Sequence, residues 1–285
     1  MMSIITLTTD FGLKDHFVGS LKGKLLCEYP EVQIIDISHD IDLFNIAETS
    51  YIIDASYANF PKGTVHLIGV DMEMNSENKH IVMQWNDHFF IAADNGILSI
   101  LTQKIVPQKI VEINIHNLLH GGSTNLDVFV KVACHVAKGG ALSVIGKEIN
   151  TIKIVNELVP LVSSDFSSIK GYVIYIDHFG NCITNISKKM FVEIGQNRSF
   201  EIKFASTNFK SRENSIKKIH NQYSDFKVID GFMLKNYEGI KLALFNEAEF
   251  LEIAIYRSNP GSVGSASSLL GLKYRDVVNV EFSNQ

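Results

Sequence analysis

The chain has 285 residues, 46% of them hydrophobic and 20% charged, which is long for one domain, comfortable for two, and outside the range of a disordered chain. Its formal net charge is −5 with no long basic run, which argues against the clustered Lys and Arg of a non-specific nucleic-acid binder. The three cysteines, Cys27, Cys134 and Cys182, are odd in number and form no C-x-x-C pair, so a disulfide framework and a structural zinc site are not expected; all three read as small buried side chains in a reducing compartment.

The N-terminus carries no basic segment followed by an apolar core, so it does not read as a signal peptide, and no run of about eighteen apolar residues offers a membrane span. Ile4 to Leu7 reads as a first buried strand, broken by Thr8-Thr9-Asp10-Phe11-Gly12. Phe17, Leu21 and Leu25 are four apart and predict a helix over 17–26, stopped at Tyr29-Pro30. Val32 to Ile37 is a second strand. Asn45 precedes Glu48 by three, a capping-box spacing that opens a helix ending at Pro61-Lys62-Gly63. Val65 to Val70 is a third strand, and Ile81–Trp85 and Phe89–Ala93 flank Asn86-Asp87-His88 as a hairpin. Ile110 to Ile115 is another strand. Asp127 is a plausible N-cap of a helix with Val128, Val132 and Val136 on one face, ended by Gly139-Gly140. This alternation predicts an α/β N-terminal domain over 1–150 with a mostly parallel central sheet.

Residues 151–168 lack periodicity and read as a linker. Over 169–285, short strands at 171–177, 182–186, 200–204, 240–245, 250–255 and 277–282 are separated by turn residues, with one short helical possibility near Lys188–Glu193. They predict a C-terminal all-β domain, a small barrel or a sandwich. Residues 206–226 are polar and read as a long excursion.

Ligands of an open α/β sheet bind at the carboxyl ends of its strands. Three loops fall there: Thr8–Gly12, Asp71–Lys79, and the stretch from Ile115 to Asp127 with His116, His120, Ser123 and Thr124. On spacing alone, Asp10 is equally a ribose-binding carboxylate and a helix N-cap.

The motif Ile5-Thr6-Leu7-Thr8-Thr9-Asp10-Phe11-Gly12, followed by Lys14-Asp15 and Phe17-Val18-Gly19, resembles the opening of the S-adenosylmethionine (SAM) hydroxide adenosyltransferases, relatives of the SAM-dependent chlorinases and fluorinases. Ile35-Asp36-Ile37-Ser38-His39, Ala93-Asp94-Asn95-Gly96-Ile97-Leu98-Ser99, Asp177-His178-Phe179-Gly180-Asn181, Thr184-Asn185-Ile186 and Leu251-Glu252-Ile253-Ala254 follow in the same order. The resemblance implies an α/β domain and a β-barrel domain, in a homotrimer whose sites lie between one subunit's N-domain and its neighbour's C-domain. It implies a substrate-binding set of Asp10 on the ribose, Phe11 and Phe44 bordering the ligand, Asp177, Phe179 and Asn181 at the adenine and methionine amine, and Asn246 at the methionine carboxylate. SAM is then substrate or ligand, with no cofactor and no metal, in a cytoplasmic protein that meets neither nucleic acid nor membrane.

Departures from the family pattern touch the catalytic positions. The family's Val-Asp-Pro-Gly-Val-Gly reads Val70-Asp71-Met72-Glu73-Met74-Asn75 here, and the following Arg position is Asn78, with Lys79 next to it. In the third loop the family His is Thr124, with His120 four residues earlier, and the Asn-Ser of the second domain reads Asn246-Glu247. The resulting expectation is a SAM hydrolase releasing adenosine and methionine, with Asp71, Lys79, Asn78 and Thr124 as the catalytic set. The alternative is a non-catalytic or regulatory binder of adenosine or a SAM-derived nucleoside. A divalent-metal site at Asp36, His39, Asp40 and Asp42 fits no standard spacing. Halogenation is disfavoured by Glu73 and Glu77 beside Asp71, because a halide site needs donors and little negative charge.

Overall fold

The computed structural model describes the chain except residues 1–2, 103–104, 119–121, 156–157, 205–213, 227–232, 263 and 284–285. His120 and much of the polar excursion lie outside the described residues. The chain divides into two compact units, Met1–Asn156 and Glu157–Gln285.

The first unit runs β1 (Ile4–Thr9), α1 (Phe17–Glu28), β2 (Gln33–Ser38), α2 (Ile46–Tyr57), β3 (Val65–Gly69), β4 (His80–Trp85), β5 (His88–Ala93), α3 (Ile97–Thr102), β6 (Lys109–Ile113), α4 (Asn125–Ala137) and β7 (Gly146–Ile149). Its seven strands lie in the order β2-β1-β3-β5-β4-β6-β7. The pairs β2–β1, β1–β3 and β3–β5 are parallel, whereas β5–β4, β4–β6 and β6–β7 are antiparallel. The sheet is therefore mixed and only half parallel, which corrects the mostly parallel expectation. The β4–β5 hairpin accounts for the two antiparallel pairs that include β4: Asn86 and Asp87 both take positive φ (50° and 63°), the two-residue turn that reverses a strand beside itself.

Strand residues alternate between two cores. Ile5, Leu7, Val65 and Leu67 join Leu21 and Leu25 of α1 and Val128, Phe129 and Val132 of α4 on one face. Ile68, Val70, Ile81 and Met83 join Ile53 and Tyr57 of α2 and Ile97, Leu98 and Leu101 of α3 on the other. Helices thus cover both faces, a three-layer arrangement. The six-residue α3 is too short to announce itself by periodicity. Asn45 caps α2 as expected, its Oδ1 accepting from Glu48 N at 3.1 Å. At α4 the N-cap is Thr124 and not Asp127; Asp127 occupies the third helical position and returns the bond, Thr124 N to Asp127 Oδ2 at 2.8 Å. Cys134 and Cys182 are buried, but Cys27 is exposed on α1.

The second unit runs β8 (Leu161–Val162), β9 (Ser168–Ile176), β10 (Cys182–Ser187), α5 (Lys188–Gly195), β11 (Phe200–Phe204), β12 (Asn214–Ile216), β13 (Ile219–His220), β14 (Lys241–Phe245), β15 (Phe250–Ile255), α6 (Ala266–Leu270) and β16 (Val277–Phe282). The stretch read as a linker therefore contains β8, which pairs with the start of β9, and the stretch read as an excursion contains β12 and β13. The strand order is β12-β11-β16-β9-β10-β15-β14-β13, and β12 returns beside β14, so the sheet curls into a nearly closed barrel around Ile169, Val173, Ile202, Leu251, Ile253 and Val280. Helices α5 and α6 pack on it through Met190, Phe191, Ile194, Ala266 and Leu270, so the unit is predominantly and not wholly β.

Candidate active site

From β1 the chain passes by way of α1 to β2 on one side, then by way of α2 to β3 on the other side of β1. The chain leaves β1 toward β2 on one side and leaves β3 toward β4 and β5 on the other, so the carboxyl ends of β1 and β3 flank a topological switch point, where open α/β sheets place ligands. The register there is Thr9↔Gly69. Asp10 leaves the sheet one residue after Thr9, and Asp71 two residues after Gly69. Gly69 has a packing reason: a Cβ there would stand 3.1 Å from Thr9 Cγ2, 3.5 Å from the Phe11 ring and 3.6 Å from Met72 Sδ. Phe11 and Met72 thus fold inward onto the α1/α4 core, while Met74 is exposed.

Asp10 is not the N-cap of α1, a position held by His16. Its Oδ2 accepts a bond from Phe44 N at 3.1 Å. Phe44 stands at φ 60° and is 67% exposed. Beside it, Thr9 Oγ1 lies 2.7 Å from His39 Nδ1, and Gly12 N donates to His39 O at 2.7 Å, so the first loop is tied to the end of β2. Asp36 is engaged by Lys22 (2.6 Å) and by His39 Nε2 (3.1 Å). Among the described residues no three His, Cys, Asp or Glu side chains are grouped to hold a metal.

Asp71 sits at φ 45°, a conformation that costs a non-glycine residue on the order of 1 kcal/mol and persists only where neighbours enforce it. Asn95 Nδ2 donates to Val70 O and Asp71 O at 3.2 Å each, and His80 Nε2 lies 2.8 Å from Met72 O. Further along, Asn75 Oδ1 accepts from Glu77 N and Asn78 N at 2.8 and 2.9 Å, a local turn. Asn78 gives its side-chain oxygen to Lys153 Nζ at 3.0 Å. Lys79 is exposed; burial pushes the His116 pKa down, Glu112 opposes the fall and Lys79 adds to it. Thr124 Oγ1 accepts from Asp127 N and donates to Asp127 Oδ2; its proton is therefore committed to the cap. Lys24 and the Thr124 bonds hold the Asp127 carboxyl at about 2.

In the second unit the turn Asp177–Asn181 closes the β9–β10 hairpin. Asp177 accepts from Asn181 N (2.8 Å) and Asn181 Nδ2 (3.0 Å), a clamp across the turn. Gly180 stands at φ 74°, and a Cβ there would meet Ser265 Oγ at 2.2 Å, so only glycine fits. Phe179 is left at the tip, 62% exposed. Asn246 opens the β14–β15 turn, its Oδ1 accepting from Ala248 N and Phe250 N at 3.1 Å each, and Glu247 is exposed. Asp177, Asn181 and Asn246 therefore each support a turn as well as standing at a candidate site.

Family models match the chain twice: the SAM hydroxide adenosyltransferase N-terminal domain over residues 5–146 and the C-terminal domain over residues 171–279. The chain belongs to the SAM hydroxide adenosyltransferase family. It is 29% identical to a Methanocaldococcus jannaschii protein named (R)-S-adenosyl-L-methionine hydrolase, over 98% of this chain and 96% of that one. It is 24% identical to a fluorinase of Nocardia brasiliensis, over 67% and 74% of the two chains. A crystal structure of an uncharacterized conserved protein from Thermotoga maritima superposes with a TM-score of 0.79 at 27% identity, covering 97% and 99%.

Four side chains outside the expected catalytic and substrate-binding sets stand beside these positions. Asn95 and His80 pin the Asp71 loop, and His116 lies 3.0 Å behind His80. Glu252 is buried on β15; burial pushes its carboxyl up to about 7, Asp177 adds to the rise, and bonds from Tyr223 (2.6 Å) and Asn246 oppose it. Its signal was a lone acid inside the apolar run Phe250-Leu251-Glu252-Ile253-Ala254.

Proposed function

We propose that this chain hydrolyses SAM to adenosine and L-methionine. The observation that carries the reading is the Thr9↔Gly69 register, which sends two carboxylates, Asp10 and Asp71, out of the switch point of a sheet belonging to this family. In the reaction a water oxygen bonds to ribose C5′ as the C5′–S bond breaks in line. The electron pair goes to sulfur, which departs as a neutral thioether and needs no proton. The water proton is the one that must be taken, and Asp71 is its acceptor. Lys79 supplies positive charge beside it, as a flexible point charge and not the planar fork of an arginine. Thr124, its own proton given to Asp127, offers a water only a lone pair, and Asn78 orients without titrating. Asp10 takes the ribose hydroxyls, Phe11 supports it from below, and Phe44 borders the ring.

Phe179 with Asp177 and Asn181, and Asn246 for the methionine carboxylate, complete the binding set in a homotrimer whose subunits share sites. Sedimentation of the purified chain tests the assembly: a monomer at micromolar concentration would overturn it. No cofactor enters this chemistry. No helix among the described residues is long and apolar enough to cross a membrane, and a cytoplasmic setting agrees with the thiols of Cys27, Cys134 and Cys182.

Non-catalytic binding of adenosine or a SAM-derived nucleoside is the second reading. It is favoured by the cap that occupies Thr124 and the Lys153 bond that occupies Asn78. Incubation with SAM followed by chromatography separates the two. Time-dependent adenosine in equal amount to methionine is expected. Measurable adenosine binding without product would establish the binder.

A further inference from the structure

Three successive carbonyls, those of Val70, Asp71 and Met72, leave β3 bonded to side chains of other elements: the first two to Asn95 Nδ2, the third to His80 Nε2. A carbonyl oxygen only accepts, so His80 carries its proton on Nε2. His80 is fully buried with its ring 4.6 Å from that of Phe129. Burial, with His116 adding, pushes its pKa down to about 4 against the bond to Met72, so at neutral pH its Nδ1 is a bare lone pair. His116 Nε2, 3.0 Å from that Nδ1, must then be the donor. The bonds run one way, from His116 to His80 to the Met72 carbonyl. Glu112 and Lys79 act on His116 with opposite sign.

We infer that His116 and His80 are positioning residues: a two-imidazole relay that fixes the Met72 peptide and, through it, the direction in which Asp71 presents its carboxylate. The inference rests on the hydrolase reading for its consequence in catalysis. Its physical logic is burial: His80 is fully buried, and a neutral imidazole donates to the Met72 carbonyl without placing a charge in the core. The left-handed backbone at Asp71 makes such an anchor necessary, because a rotated Met72 peptide would redirect the side chain before it. A carboxylate misplaced by about 1 Å is enough to lower turnover about a hundredfold.

The test compares His80→Leu, His80→Gln and His116→Phe in the full chain. His80→Leu is expected to lower kcat at least tenfold with KM for SAM unchanged within about threefold. His80→Gln, whose amide reaches the same carbonyl, restores most of kcat. Amide exchange at Met74 and Asn75 accelerates in the leucine variant and not in the glutamine one. Equal loss in both variants, or a change in KM alone, would overturn the relay. Should His80→Leu fail to fold, His116→Phe carries the same comparison, with a smaller fall in kcat expected and an unchanged kcat overturning. If wild type releases no adenosine, the hydrolase reading falls by itself; nitrogen-15 spectra then decide the relay separately. Nε2–H on both imidazoles supports it, and Nδ1–H on His80 ends it.

Discussion

Asp10 and Asp71 are both strand-end aspartates, and their surroundings differ in ways that suit the two tasks proposed for them. Asp10 already accepts Phe44 N through Oδ2, which fixes the carboxylate and leaves Oδ1 lone pairs for hydroxyl donors. Replacing it by Asn should weaken adenosine binding about tenfold or more, the scale of one hydrogen bond to a charged group; titration calorimetry reads this directly, and an unchanged affinity would remove Asp10 from the ribose. Asp71 has its backbone bonded by Asn95 and is followed by a carbonyl that His80 holds. Asp71→Asn keeps the shape and removes the proposed base. It should cut kcat by about a hundredfold or more while adenosine affinity stays within about twofold. A variant that retains turnover would mean that the water proton leaves by another route.

Helix α4 shows how an element competes with chemistry for one residue. The capping box Thr124–Asp127, reinforced by an ion pair from Lys24, satisfies amides that the helix cannot satisfy itself. Thr124→Ala should destabilise the chain by about 1 kcal/mol and lower its melting temperature by a few degrees, with kcat reduced no more than about threefold. If activity collapses while melting is unmoved, Thr124 belongs to the reacting centre and the cap is incidental. Legibility was uneven at this scale. Asn45 was recognisable as a cap because it stands alone before its helix. At α4 two capping residues, Thr124 and Asp127, lie three apart, and only the dihedrals decide which is outside the helix. The β9–β10 turn was legible as a motif, but the Gly180 requirement comes from Ser265, far along the chain.

Buried ionisable groups distribute pH sensitivity over the whole molecule. His66, hydrogen-bonded to Thr6 at 2.7 Å and near His88 at 3.1 Å, is pushed down to about 3 by burial and by His88, and His80 to about 4. Unfolded histidines bind protons near 6.5, so the stability these two contribute is present above that pH and is lost as pH falls toward 4. Glu48 and Glu252 are raised to about 7, both chiefly by burial; their contribution is full below about 4.5 and is lost as pH rises toward 7. The two sets oppose each other between pH 4.5 and 7. Against wild type in urea titrations, the stability deficit of His66→Gln should therefore shrink from pH 7 to pH 5, and Glu252→Gln should gain relative stability from pH 4.5 to pH 7.5. Curves that stay parallel to wild type would show that these groups titrate alike in the folded and unfolded chains.

What the amino-acid order determined by itself was local: strand, loop and helix periods in the first unit, the Asn45–Glu48 cap, the reversing turn at Asn86-Asp87, the short helix after Ser187, and the motifs carried by Asp10, Asp71 and Asp177. Each depends on residues within a few positions of one another, where backbone period and turn chemistry act directly. Only the tertiary structure decided the half-antiparallel sheet, the curl that brings β12 beside β14, and the His116–His80 and Tyr223–Glu252 pairs, whose partners lie 36 and 29 residues apart. Those contacts follow from strand order and register, which are chosen by burying two faces of a sheet at once, and no spacing along the chain encodes which strands will meet.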